Sequence, residues 1–288
     1  MIPQLDRYQL VVPATLRDAL DDLAQHPGAR PFAGGTDLMV QLEAGHLPEG
    51  RYVSLRRCRE LKGIQHIADN GGVSIGALTT YTEIQRSALL TRDYPLLRLA
   101  ARETGGIATQ NRGTIGGNIA NASPAADTPP VLLVYDAELD IVSASGTRRI
   151  PYAAFHRGYK HMDLAPGELI ARVMLPPRAN AGDRPSEYYR KVGTRRAQAI
   201  SKVCFAGTVR IDAGAIQDVR IALGSVAPTV VRATQTEDAL RGQPLDEHTI
   251  AAAERALLTE IAPIDDIRST ARYRARVAAN LLREFLRA

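Results

Sequence analysis

The chain has no tryptophan, only four phenylalanines and only two cysteines in 288 residues. With aromatics at 5% there are few platforms on which bases could stack. Charge of one sign is also scarce: 36 Lys+Arg against 31 Asp+Glu leave +5, spread along the chain apart from Arg56-Arg57, Arg195-Arg196 and an arginine-rich C-terminal stretch. That pattern argues against a nucleic-acid groove. Cys58 and Cys204 are remote from each other and belong to no C-x-x-C pair, so they cannot build a four-cysteine metal or iron–sulfur site. The six histidines fall at no ligand spacing, which argues against a metal centre. No run approaches the roughly eighteen apolar residues that cross a bilayer. Asp6 and Arg7 follow Met1 too closely for an export signal. The expectation is a soluble, cytoplasmic protein with free thiols.

What the chain does have is enough apolar material, 45%, for a large core at a length where cores begin to divide. Thr15 with Asp18 reads as a helix start before Leu16, Ala19, Leu20 and Leu23, and Pro27-Gly28 ends that helix. A short strand over Arg30 to Ala33 then runs into Gly34-Gly35, with Leu38, Met39 and Leu42 marking a second helix. Arg51–Leu55 reads as a strand, and Gly63–Ile67 with Val73–Gly76 as a hairpin about Asn70-Gly71. Thr80 with Glu83 starts another helix, Pro95–Thr104 continues helical, and Pro129-Pro130 fits a first helical turn through Tyr135. Glu138–Ser143 and Arg148–Pro151 form a second hairpin. Pro176-Pro177, Asn180-Ala181-Gly182-Asp183 and Pro185 make the best linker, dividing the chain into residues 1–176 and 177–288. Beyond it the pattern predicts strands over Ser186–Val192, Val203–Ile211 and Ile216–Leu223, then helices over 235–242, 246–260 and 266–287, with Ile267 on the apolar face of the last.

The most informative residues are two glycine-bearing segments, Phe32-Ala33-Gly34-Gly35-Thr36-Asp37 and Thr114-Ile115-Gly116-Gly117-Asn118. Paired glycines beside a hydroxyl let the backbone approach an oxyanion and offer N–H donors, and two such cradles suit a diphosphate. Neither matches a Rossmann or P-loop fingerprint. Alone, each segment also fits a plain turn.

The stretch from Asn111 to Asp127, together with Ala33–Leu38, Pro166-Gly167-Glu168-Leu169-Ile170 and Tyr189-Arg190-Lys191, resembles the flavoprotein (medium) subunit of the molybdenum hydroxylases, the family of xanthine dehydrogenase and aerobic carbon monoxide dehydrogenase. The resemblance covers most of the chain. It implies an α+β fold: a two-lobed FAD-binding domain of the PCMH/vanillyl-alcohol-oxidase-like type, with lobes of about 1–55 and 56–176. A C-terminal domain with a three-stranded antiparallel sheet and a helical bundle follows. It assigns FAD contacts to Phe32, Ala33, Gly34, Gly35, Thr36, Asp37 and Leu38, to Ile107, to Thr114, Ile115, Gly116, Gly117 and Asn118, and to Ser123, Asp127, Ile170 and Lys191. Asp127 would accept a ribityl or ribose hydroxyl, and Lys191 would lie at the polar edge of the flavin. No catalytic residue and no metal ligand is assigned. The implied partners are a small subunit with two [2Fe–2S] clusters and a large molybdenum–pterin subunit, in a dimer of heterotrimers, with NAD, oxygen or another acceptor taking the electrons.

Read from residues alone, Asp127 could equally cap the Pro129 helix, Lys191 could be a solvated strand lysine, and Asn118 and Asn121 could be turn residues. A stand-alone flavoprotein oxidase and a flavin-free interaction subunit stay open. Gly193–Ser201 reads as a loop near the flavin or as an exposed basic loop, and His156, Tyr159, Lys160 and His161 read as a surface or subunit contact. Two departures from the family stand out. Ala108-Thr109-Gln110 replaces the glutamine-rich run of many relatives. The cysteine-bearing insertion that holds an extra [4Fe–4S] cluster in some relatives is missing.

Overall fold

The computed structural model describes residues 5–69, 71–178, 184–195 and 198–288. The first capping box forms as its sequence dictates. The Asp18 N–H donates to Thr15 Oγ1 at 3.1 Å and the Thr15 N–H donates to Asp18 Oδ2 at 3.2 Å, starting α1 (Leu16–Gln25) with Ala19, Leu20 and Leu23 turned inward. Three short strands, β1 (Tyr8–Val11), β2 (Arg30–Phe32) and β3 (Gly50–Ser54), pair in parallel in the order β1-β3-β2. Parallel neighbours need crossovers, which α1 and α2 (Leu38–Glu43) supply.

The middle of the chain is built on an antiparallel sheet. It comprises β4 (Ile64–His66), β5 (Val73–Gly76), β6 (Glu138–Ser143), β7 (Gly146–Pro151) and, after the small hairpin β8 (His156–Gly158) and β9 (His161–Met162), β10 (Leu169–Leu175). The strand order is β4-β5-β10-β6-β7. Six short helices come between β5 and β6: α3 (Tyr81–Arg86), α4 (Ala88–Asp93), α5 (Pro95–Glu103), α6 (Ile107–Gln110), α7 (Ile115–Asn121) and α8 (Pro129–Val134). Thr80 and Glu83 close a second capping box at α3. The prolines of α5 and α8 occupy first-turn positions, where no N–H is missed. Asn70 and the linker residues 180–183 lie outside the described residues.

The C-terminal part is a sheet of β11 (Ser186–Val192), β12 (Val203–Asp212), β13 (Ala215–Gly224) and β14 (Val231–Arg232), antiparallel throughout. It carries α9 (Thr234–Leu240), α10 (Glu247–Glu260) and α11 (Ala271–Arg287). The three long strands are those read from the sequence. The two-residue β14 is a fourth, too short to show a period. The last helix starts at Ala271 rather than 266, because Asp266 Oδ1 accepts the Arg268 and Ser269 N–H groups in a tight turn and Thr270 becomes the N-cap. Ile267, placed on a buried face by the sequence pattern, is 98% exposed in that turn.

Buried side chains form three clusters. One joins the region of the parallel sheet to that of the middle sheet through Leu20, Val53, Leu61, Leu78 and Leu169. One fills the middle sheet and its helices, and includes Ala206 and Ala222 from the C-terminal sheet. One lies under α9–α11. Every residue of α8 is buried. Its last carbonyls are received by arginines from the C-terminal sheet: Arg232 donates to Leu133 O at 2.8 Å and Arg220 to Val134 O at 3.4 Å. Arg232 also pairs with Glu237 and Asp136. Cys58 and Cys204 are free thiols, both buried, and burial pushes each thiol up from its ordinary value. No helix among the described residues is long and apolar enough to cross a membrane.

The Glu237 side chain is 4% exposed beside Arg232. Truncating Arg232 to alanine removes the near cation from that buried carboxylate, leaving it the Ile221 N–H and the more distant Arg241, and should cost about 3 kcal/mol, the low end for a broken buried pair. Urea denaturation of the variant against wild type measures it.

Candidate cofactor-binding site

The first glycine segment leaves β2 and enters α2. Gly35 holds φ +76°, in the left-handed region, and a Cβ there would come within 2.6 Å of the Phe32 ring. The N–H groups of Gly34, Gly35, Thr36 and Asp37 find no backbone acceptor among the described residues. They are open donors at a helix start.

The second segment behaves differently from the sequence expectation of a matching N–H cradle. It is the first turn of α7, with Thr114 as N-cap. Ile115 N–H donates to Thr79 O at 3.0 Å, Gly116 N–H to Ala77 O at 2.9 Å, Gly117 N–H to Thr114 Oγ1 at 3.1 Å and Asn118 N–H to Thr114 O at 2.9 Å. Those donors are already engaged. What this segment offers is the Thr114 hydroxyl hydrogen, the Asn118 side chain and close approach. A Cβ at Gly116 would lie 2.5 Å from the Ala77 methyl, and one at Gly34 would fall on the Arg112 carbonyl oxygen. The glycines therefore let the two segments pack closely, the first against the Arg112 backbone and the second against Ala77.

Between them lies a cleft of about 450 Å³. It is lined by Ala33 through Leu38, by Thr114, Gly116, Gly117 and Asn118, and by Ile170, with Leu55, Leu78, Leu164 and Leu169 adding apolar wall. Such mixed, mainly apolar lining with a few convergent polar groups is what small-molecule sites share. Sequence reasoning passed over Tyr81, Thr104, Thr109 and Asn121, which also line it. Asn121 sits inside the quoted signature stretch, and Thr104 and Thr109 flank Gly105-Gly106, so position alone could have marked them. A larger depression of about 590 Å³ lies around Ala14, Thr15, Arg56, Arg57, Arg59 and Lys62. It is open and basic and touches neither glycine segment.

Several residues assigned from the resemblance stand outside the cleft lining. The Phe32 ring packs against Gly35, Ile115 is fully buried in the core, and Ile107 is 69% exposed. Ser123 Oγ accepts the Ala125 N–H at 3.3 Å. Asp127 and Lys191 pair with each other, Nζ to Oδ2 at 2.7 Å, and Lys191 donates also to Glu103 O at 2.8 Å. Both side chains are buried, so Lys191 is neither a solvated strand lysine nor a wall of the cleft. Asp127 does not cap α8, since α8 has no side-chain cap bond. Asp127 Oδ1 is buried without a partner among the described residues. Burial pushes the Asp127 carboxyl up to about 6, against the pull of Lys191. Of the residues read as surface contacts, His156 turns inward, its Nε2 2.9 Å from Ile119 O, while Lys160 is exposed, its Nζ donating to Asn121 Oδ1 at 2.8 Å. Of the Gly193–Ser201 loop, Gln198 lies against Gly106; Arg196 and Ala197 are outside the described residues.

The family model described as the FAD binding domain in molybdopterin dehydrogenase matches residues 6–178, and that of the CO dehydrogenase flavoprotein C-terminal domain matches residues 187–288. The chain belongs to the molybdenum hydroxylase flavoprotein family. It is 32% identical over 276 residues to the xanthine dehydrogenase FAD-binding subunit of Escherichia coli O157:H7, covering 95% of this chain and 92% of that one. It is 31% identical to the glyceraldehyde dehydrogenase medium chain of Sulfolobus acidocaldarius, covering 94% of each. Its fold superposes on carbon monoxide dehydrogenase from Hydrogenophaga pseudoflava with a TM-score of 0.93 at 28% identity, covering 100% of this chain and 98% of that one. The protein is thus an oxidoreductase subunit whose cofactor is FAD. The open donors of Gly34–Asp37 and a cleft walled by closely packed glycine segments fit that cofactor.

Two outcomes follow. Gly34→Ala forces the Arg112 carbonyl away, costing about 1–3 kcal/mol as overpacking does, and should yield protein with little bound flavin by absorbance. Lys191→Met leaves Asp127 buried and unpaired, a loss of about 3–5 kcal/mol. Because the folded Asp127 carboxyl already lies above its ordinary value, its stabilising contribution is present when protonated and lost as pH rises through about 6. The variant should therefore melt far below wild type at neutral pH and above, with the gap narrowing below the Asp127 midpoint. Thermal melts across that pH range measure it.

Proposed function

We propose that this chain is the electron-transfer subunit of a molybdenum–pterin hydroxylase or dehydrogenase complex. The observation that carries the reading is the meeting of two glycine segments at one cleft, one with its N–H donors open and the other closed against it. Gly34, Gly35 and Thr36 with Thr114 and Asn118 hold the FAD diphosphate. Ile170 packs against the cofactor, while Asp127 and Lys191, outside the cleft lining, hold each other in a buried pair. FAD supplies chemistry that no side chain can, accepting electrons from an iron–sulfur donor and releasing them to NAD, oxygen or another acceptor.

The relatives are named for the oxidation of xanthine, glyceraldehyde and carbon monoxide. One fold thus serves substrates with nothing chemical in common, which supports a substrate pocket on another chain. The partners in this reading are a small subunit with two [2Fe–2S] clusters and a large subunit with the molybdenum centre, in a dimer of heterotrimers in the cytoplasm. The domain division is at 176/177.

Co-expression with the neighbouring reading frames tests this. Co-elution with iron and molybdenum, at about two [2Fe–2S] clusters per FAD, is expected. A yellow monomer that oxidises a substrate on its own would sink the proposal.

A further inference from the structure

Asp37 is the only acidic residue lining the cleft among the described residues, and it stands at the end of the segment with open N–H donors. If that segment receives a diphosphate, as the reading above on which this inference rests has it, a carboxylate at its side repels the ligand. The repulsion grows as water leaves the cleft.

Two side chains bond that carboxylate, and a third reaches it through one of them. Gln41 Nε2 donates to Asp37 Oδ2. Asn121 Nδ2 donates to Asp37 Oδ1 at 3.4 Å. The same Asn121 amide accepts from Lys160 through its Oδ1 at 2.8 Å, and Lys160 Nζ donates also to the Asn121 main-chain oxygen. An ammonium in lobe two is thereby linked through one amide to a carboxylate in lobe one. The two charges sense each other: burial pulls Lys160 down from its ordinary value and Asp37 pulls it back up.

The backbone at Lys160 is as informative as its side chain. Gly158 pairs with His161, which leaves Tyr159 and Lys160 as the turn of the β8–β9 hairpin, and Lys160 holds φ +57°. Glycine or asparagine suits that position; lysine is strained there. Strain of this kind persists where a side chain is required in one direction.

We propose that Lys160 is a positioning residue for the cofactor: acting through Asn121, its ammonium offsets the Asp37 carboxylate so that the first glycine segment accepts the FAD diphosphate.

The test is FAD titration of the deflavinated full-length chain, followed by calorimetry, with a thermal melt of each flavin-free variant. Lys160→Asn suits the turn, so its melting temperature should match or exceed that of wild type while FAD affinity falls roughly two- to fivefold, the range of partly exposed charge pairs. Lys160→Arg should keep most of the affinity. In an Asp37→Asn background the same Lys160→Asn change should have almost no effect on affinity. Equal losses in both backgrounds, unchanged affinity in Lys160→Asn, an arginine variant as weak as the asparagine one, or a melting temperature that falls along with affinity would each overturn the proposal. Failure of the underlying reading shows separately, as FAD affinity that survives Gly34→Ala.

Discussion

The structure depends on one close approach, that of the Gly34 backbone to the Arg112 carbonyl. No side chain fits between them, because even a methyl group would fall on the oxygen. From that contact follow the depth of the cleft, the meeting of α2 and α7 starts at one place, and the way the apolar residues of both lobes close into a shared cluster through Val53, Leu61, Leu78 and Leu169. The same economy recurs where Gly116 rests on Ala77. The cleft proposed for the dinucleotide is shaped first by side chains that are absent, and only then by polar groups.

The two cradles are alike in composition and unlike in use. Paired glycines beside a threonine occur in both, yet one leaves its donors open and the other spends them on Ala77, Thr79 and its own cap. Composition could not separate them, since the difference lies in which strand end happens to pass within reach. The capping boxes at Thr15 and Thr80, the hairpins and the long C-terminal strands were legible, because each is decided by neighbours a few residues apart. Ile267 was misjudged for the complementary reason: its spacing suits a helix face, but Asp266 draws the local N–H groups into a turn first.

The same limit explains the site. Glycines, Thr36 and Thr114 could be found as motifs, whereas Thr104, Thr109 and Asn121 reach the cleft only because helices α5 to α7 fold back over the sheet. Asp127 and Lys191 are 64 residues apart in the chain and find one another in a buried pair. Nothing in either local sequence points to that partner. It changes how Lys191 is understood, from a charge aimed at a cofactor to one whose first obligation is a neighbouring carboxylate and the Glu103 carbonyl.

The burial of α8 has a consequence for how the molecule comes apart. Its proline-led turn is enclosed on all sides, and its terminal carbonyls are held by Arg220 and Arg232 of the second sheet. The second half of the protein supplies part of the first half's interior, with Ala206 and Ala222 joining the core of the middle sheet. Hydrolysis of the peptide chain between Arg178 and Arg184 would thus leave two fragments still clasped together, the first relying on the second for part of its core.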